Sequence, residues 1–126
     1  MTVVLDTTVL IDWLRDRAGA RAALHGLVAS GELVTASVVT RTEVLTGLRS
    51  SERRDYDEVL RVPEWITVSE DIAELAGEWN HRFLRSHTSI GLGDYLVAAT
   101  AQTLGAKLWT HNVKHFPMFP DLERPY

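Results

Sequence analysis

The sequence predicts an α/β/α sandwich: one domain spanning residues 1–126, with a mainly parallel central sheet flanked by helices. Three observations predict it. Val3-Val4-Leu5 is an unbroken apolar run almost at the start of the chain, and such a run reads as a strand buried on both faces, as at the centre of a parallel sheet. Further short runs of this kind alternate with helical patterns, the signature of strand–helix–strand units. Tyr95 to Leu104 contains no charged residue, so it reads as a core helix packed on the sheet.

Taken in order, the first strand ends at Asp6, and Thr7-Thr8 opens a helix carrying Val9, Leu10, Trp13 and Leu14. Thr7 or Thr8 is a candidate cap for that helix. Asp16 to Gly19 is a polar break. Ala20 to Ser30 is helical, with Leu24, Leu27 and Val28 at helical spacing and Gly31 as its stop. Leu33 to Ala36 is a second strand, and Ser37 caps a helix running through Glu43 to about Leu48. On the helical wheel Val38, Val44, Leu45 and Leu48 share the apolar face, with Glu43 pointing away from it.

Ser50 to Asp57 is the most charged stretch and reads as an exposed turn leading to Tyr56, Val59 and Leu60. After Pro63, Trp65 to Val68 is a short strand. Ser69 caps a long helix with the stripe Ile72, Leu75, Ala76, Trp79, Phe83 and Leu84, ending near Ser86-His87. A loop through Gly91-Leu92-Gly93 delivers Asp94 to the head of the uncharged helix, which Gly105 ends. Lys107 to Thr110 is the last strand. His111 to Phe116 holds about one helical turn, and three prolines leave an irregular tail.

Composition narrows the function. The 126 residues are 45% hydrophobic and 24% charged, which fits a folded domain and no membrane-embedded one. No cationic stretch with an apolar run follows Met1, and there is no cysteine; both fit a cytoplasmic protein. The net charge of −4, from 13 Lys and Arg against 17 Asp and Glu, argues against nucleic-acid binding by bulk charge alone. It leaves room for a nuclease, because a bound divalent ion reverses the local sign.

Asp6, Glu43 and Asp94 are the candidate site. In parallel sheets ligands bind at the carboxyl ends of the strands, and Asp6 closes a buried strand. A carboxylate there is costly unless paired or metal-bound. Each has a plain alternative: Asp6 as a turn residue, Glu43 as a solvated helix residue, Asp94 as a helix cap. Together they suit Mg²⁺ or Mn²⁺, hard ions that prefer oxygen ligands. A carboxylate-held divalent ion activates water and clamps a phosphodiester. Thr7 is a candidate hydrogen-bond support for a ligating carboxylate. Arg15, Arg41 and Arg49 are candidate phosphate contacts, and Trp13, Trp65, Trp79 and Trp109 exceed what one small core needs, which favours a homodimer.

Other chemistries find less support. His111 and His115 are four apart with no third zinc ligand evident, and no Gly-rich turn or nucleophile elbow follows the first strand. An aspartyl-phosphate enzyme using Asp6 would want a second aspartate where Thr8 stands.

The blocks Val3 to Asp12, Thr42 to Leu48, Gly93 to Ala101 and Leu108 to Phe116 resemble, in order and spacing, the four signature blocks of PIN-domain proteins, and among them the VapC-type toxins. The resemblance implies a small Mg²⁺- or Mn²⁺-dependent endoribonuclease, a homodimer, held inactive by a VapB-type antitoxin near its active site. By position Asp6 and Asp94 match the principal metal-binding aspartates and Glu43 the internal glutamate. The fourth acidic position falls at Asn112, with Thr110 as a supporting hydroxyl in the same block; His115, a turn further on, is an alternative proton carrier. The competing reading is a PIN-like module that binds a partner without catalysis.

Overall fold

The computed structural model describes all 126 residues. Four strands form one sheet in the order β3-β2-β1-β4: β1 (Thr2–Leu5), β2 (Leu33–Ser37), β3 (Glu64–Ile66) and β4 (Lys107–Trp109). Every pairing is parallel, so all four carboxyl ends meet at one edge. As its apolar run dictates, β1 lies inside the sheet, with Val3 opposite Val34 on one side and Val4 opposite Leu108 on the other.

Six helices cover the sheet: α1 (Thr7–Leu14), α2 (Ala20–Ala29), α3 (Val38–Thr46), α4 (Arg53–Val59), α5 (Glu70–Phe83) and α6 (Leu92–Leu104). The alternation of side chains along β1 divides the core. Val3 and Leu5 pack with Leu10, Leu14 and Leu24 on one face; Val4 packs with Val97, Ala98 and Ala101 of α6 on the other. A third cluster joins α5 to α6 through Ile72, Ala76, Tyr95 and Ala99. Ser37 and Ser69 cap α3 and α5 as expected, accepting from the backbone N–H of Val39 and Ile72, and Gly105 ends α6 in the left-handed region at φ 61°.

Several local expectations are corrected. In α3 the buried positions are Thr40, in its first turn, and Val44, while Leu45 is 47% exposed. Glu52, in the charged run, is buried because its carboxylate closes a one-turn 3-10 helix by accepting from the Arg49 N–H at 2.8 Å and pairs with Arg15 at 3.1 Å. These donors, Arg49 first, hold its carboxyl below the usual range. The strand after Pro63 ends at Ile66, leaving Val68 exposed, and α5 stops at Phe83. None of the four tryptophans is fully buried. Arg21 lies over Trp13 and Arg41 over Trp65, with guanidinium-to-ring distances of 4.8 and 5.4 Å.

Candidate active site

Asp6 leaves β1 at the sheet edge and occupies the N-cap position of α1, although its side chain caps nothing. The threonines expected as caps lie inside the helix instead. Asp6 is 3% exposed, and its Oδ2 accepts from the hydroxyl of Thr110 at 2.7 Å and, more loosely, from that of Thr8 at 3.4 Å. Burial pushes its carboxyl from 3.8 up to about 6, against the lowering effect of the Thr110 and Thr7 hydrogen bonds; the charges of Asp94 and Glu43 raise it further. That coupling places all three carboxylates in one electrostatic field.

Glu43 points away from the apolar face of α3, as the helical wheel requires. Its Oε1 accepts from the Thr7 hydroxyl at 2.8 Å, which ties α3 to the first turn of α1. On the other side it meets Gly93: a Cβ on that glycine would stand 2.9 Å from Oε2. Glycine beside Asp94 leaves room for the Glu43 carboxylate where it stands, and a larger residue would push the end of that side chain aside.

Asp94 is the third residue of α6. Its Oδ2 accepts from the Gly91 N–H at 3.1 Å and lies 3.2 Å from Nδ1 of His115. The capping role and the site role coexist, since both contacts use one oxygen.

None of the three carboxylates has a Lys or Arg partner within 4.0 Å; His115 is the only basic group that touches them. No three His, Cys, Asp or Glu side chains are gathered tightly enough to cage an ion unaided. The donor set fits a hard cation nonetheless. It is all oxygen, it is anionic, its most buried member lacks a counter-charge, and Mg²⁺ usually takes only one or two carboxylates, completing its shell with water and substrate phosphate.

The remaining predicted residues fall into place unevenly. Thr7 supports Glu43, and Thr110, fully buried, supports Asp6 while its oxygen accepts from the Asn112 N–H at 3.0 Å. The Asn112 side chain is exposed and makes no hydrogen bond to the carboxylates; His115 reaches Asp94 in its stead. Arg15 is no free phosphate contact: it is committed to Glu52 and to the Gly47 carbonyl at 3.2 Å. Arg41 stands two residues before Glu43, roughly 200° round α3 at about 100° per residue, and lies on Trp65, so it faces away from the carboxylates. Arg49 is exposed. Sequence reasoning missed Thr8, whose hydroxyl accepts from the His111 N–H at 3.0 Å while facing Asp6, and the steric role of Gly93. The Thr-Thr pair and the glycine before Asp94 were the available signals.

The class of protein is thus an α/β domain with a wholly parallel sheet and acidic side chains near its carboxyl edge, none of them paired with Lys or Arg. Residues 3–117 match the PIN domain, and the chain belongs to that family. It is 43% identical over 123 residues to a protein named ribonuclease VapC19 from Mycobacterium tuberculosis, covering 98% of each, and 42% identical over 124 residues to ribonuclease VapC10 of the same organism, covering 98% of this chain and 92% of that one. Among solved structures it resembles a toxin–antitoxin complex from Klebsiella pneumoniae, with 29% identity, a TM-score of 0.78 and 98% of each chain covered. A structure of VapBC2 from Rickettsia felis bound to a promoter DNA fragment shares the fold, with a TM-score of 0.81, 23% identity and coverage of 97% and 96%. No helix is long and apolar enough to cross a membrane.

Proposed function

We propose that the protein is a Mg²⁺- or Mn²⁺-dependent endoribonuclease, the toxin of a VapBC-type pair, in which Asp6, Glu43 and Asp94 hold the ion. The observation that carries the reading is that the elements bearing these three carboxylates adjoin, through Thr7 on Glu43 and Glu43 beside Gly93, with no Lys or Arg partner on any of them and the buried Asp6 pushed up to about 6. A bound divalent ion removes the cost of that arrangement, and the relatives named ribonuclease VapC supply the substrate class.

Asp6 and Asp94 are the principal ligands, and Glu43 completes the anionic wall from α3. When bound, the ion supplies Lewis-acid stabilisation of the scissile phosphate and an acidified water. The chain's residues do the rest. Thr110 and Thr8 fix the orientation of the Asp6 carboxylate; Thr7 holds Glu43 in the room that Gly93 leaves. His115, bonded to Asp94, is the side chain at the site able to carry a proton. With Asn112 turned out to solvent, His115 is the better candidate for the fourth position. Arg49, exposed, is the candidate phosphate contact left of the three arginines. The assembly is a homodimer neutralised by a VapB-type antitoxin. Incubation of the purified protein with RNA, with Mg²⁺ or EDTA and beside Asp6→Asn, tests the reading; cleavage by the variant, or cleavage in EDTA, defeats it.

A further inference from the structure

The loop that carries Thr110, Asn112 and His115 is held from within by two hydroxyls. Thr110 accepts from the Asn112 N–H and Thr8 from the His111 N–H, each at 3.0 Å. Apart from β4 and the one turn at Val113–His115 it has no regular structure. Its outer side is closed by a residue far along the chain. The ring of Tyr126 lies against that of His111, with centroids 4.3 Å apart, and its hydroxyl donates to Asp12 Oδ2 at 3.0 Å.

Asp12 follows Thr8 by one helical turn, so both project from the same face of α1. Residue 111 therefore meets this face twice, through its N–H at Thr8 and through its ring near Asp12. The ring itself is not hydrogen-bonded to Asp12: Nε2 is shielded from water, without a partner, and 4.0 Å from Oδ2, too far for a bond. What holds the imidazole is the Tyr126 ring, which in turn is placed by Asp12 and by an edge contact to Trp109 at 6.3 Å. The Tyr126 hydroxyl is partly buried beside a carboxylate, which keeps it protonated and able to donate.

We propose that Tyr126 is a positioning residue for the reaction: by packing its ring on His111 and anchoring to Asp12 it locks the 110–115 loop onto the first two turns of α1, and so sets Thr110 against Asp6 and His115 against Asp94. The inference rests on the ribonuclease reading for its catalytic consequence and on geometry alone for the lock. Loosening the loop misplaces groups without removing any, and a misplacement of about 1 Å can cost on the order of 100-fold in rate.

The test pairs kinetics with amide hydrogen exchange in wild type, Tyr126→Ala and Tyr126→Phe. Tyr126→Ala is expected to speed exchange of the His111 and Asn112 amides by about tenfold or more while leaving β1 and α6 amides unchanged, and to lower kcat on a short RNA by about tenfold or more with KM unchanged. Tyr126→Phe keeps the ring contact and loses the anchor to Asp12, so both readouts are expected to fall between wild type and Tyr126→Ala, and a Phe variant as impaired as Ala would remove the ring contact from the lock. Unchanged exchange at His111 and Asn112 in Tyr126→Ala overturns the lock, as does faster exchange throughout the sheet, which marks a merely structural role. If wild type does not cleave RNA, the ribonuclease reading fails separately, and the exchange measurement still decides the lock.

Discussion

Thr110 donates its hydroxyl hydrogen to Asp6 Oδ2 at 2.7 Å, with both residues closed off from water. One comes from the end of β4 and the other from the end of β1, strands paired side by side with Leu5 opposite Trp109. The bond thus joins the sheet register to the orientation of the most buried site carboxylate. Thr110→Val keeps the shape and removes the donor, leaving Asp6 Oδ2 with its longer bond to Thr8 and the Asn112 N–H without its acceptor. A loss of about 1–3 kcal/mol in denaturant unfolding is expected, with cleavage reduced by about tenfold or more.

Asp6 gives the pH dependence a definite sign. Its carboxyl is raised from 3.8 in the ordinary state to about 6 in the fold, so between these values the folded protein binds more protons than the unfolded one. Stability from this group is full below about pH 4 and is lost as pH rises through 6. The difference of about 2 pH decades corresponds to about 3 kcal/mol at about 1.4 kcal/mol each. Asp6→Asn should therefore raise the metal-free protein's stability at pH 7 and flatten its dependence between pH 4 and 7, as urea titrations across that range will show.

Gly93→Ala tests the packing of the site without touching a charged group. Its Cβ would stand 2.9 Å from Glu43 Oε2, so the carboxylate has to shift and its bond from the Thr7 hydroxyl is expected to weaken. Helix propensity favours alanine by up to ~1 kcal/mol, hence thermal stability should hold or rise. Mn²⁺ affinity in calorimetric titration and kcat should both fall by about tenfold. Undiminished affinity would remove Glu43 from the ion's surroundings.

His115 and Asn112 should separate in mutagenesis. His115 touches Asp94 at 3.2 Å, whereas the exposed Asn112 contributes only its backbone N–H to the loop. His115→Ala is expected to lower kcat by about 10²-fold and Asn112→Ala by less than about threefold, measured on one RNA substrate at saturating Mg²⁺. Asn112→Asp adds a carboxylate close to the site and should reduce the Mg²⁺ concentration needed for half-maximal cleavage.

The sheet and the carboxylates were legible in the sequence because each depends on local pattern. An apolar run at Val3 to Leu5 can only be interior, and a carboxylate closing it is conspicuous. Helix faces were less so. Leu45 lies on the predicted apolar stripe of α3, yet Val44 is the residue that packs into the core with Leu5 and Leu10, leaving Leu45 at the surface. Contacts between distant residues left no local trace: Arg15 is spent on Glu52, 37 positions away, so its availability for phosphate could not be judged from α1 alone. The same holds for Tyr126, whose partner Asp12 is 114 positions distant.

The most direct measurement of the central claim is cleavage of a defined RNA by the purified protein with Mg²⁺, with EDTA, and with EDTA followed by excess Mn²⁺, in parallel with Asp6→Asn and Asp94→Asn. Cleavage is expected with Mg²⁺, none in EDTA, recovery with Mn²⁺, and none under any condition from either folded variant. Cleavage that persists in EDTA, or in either variant, would contradict that claim.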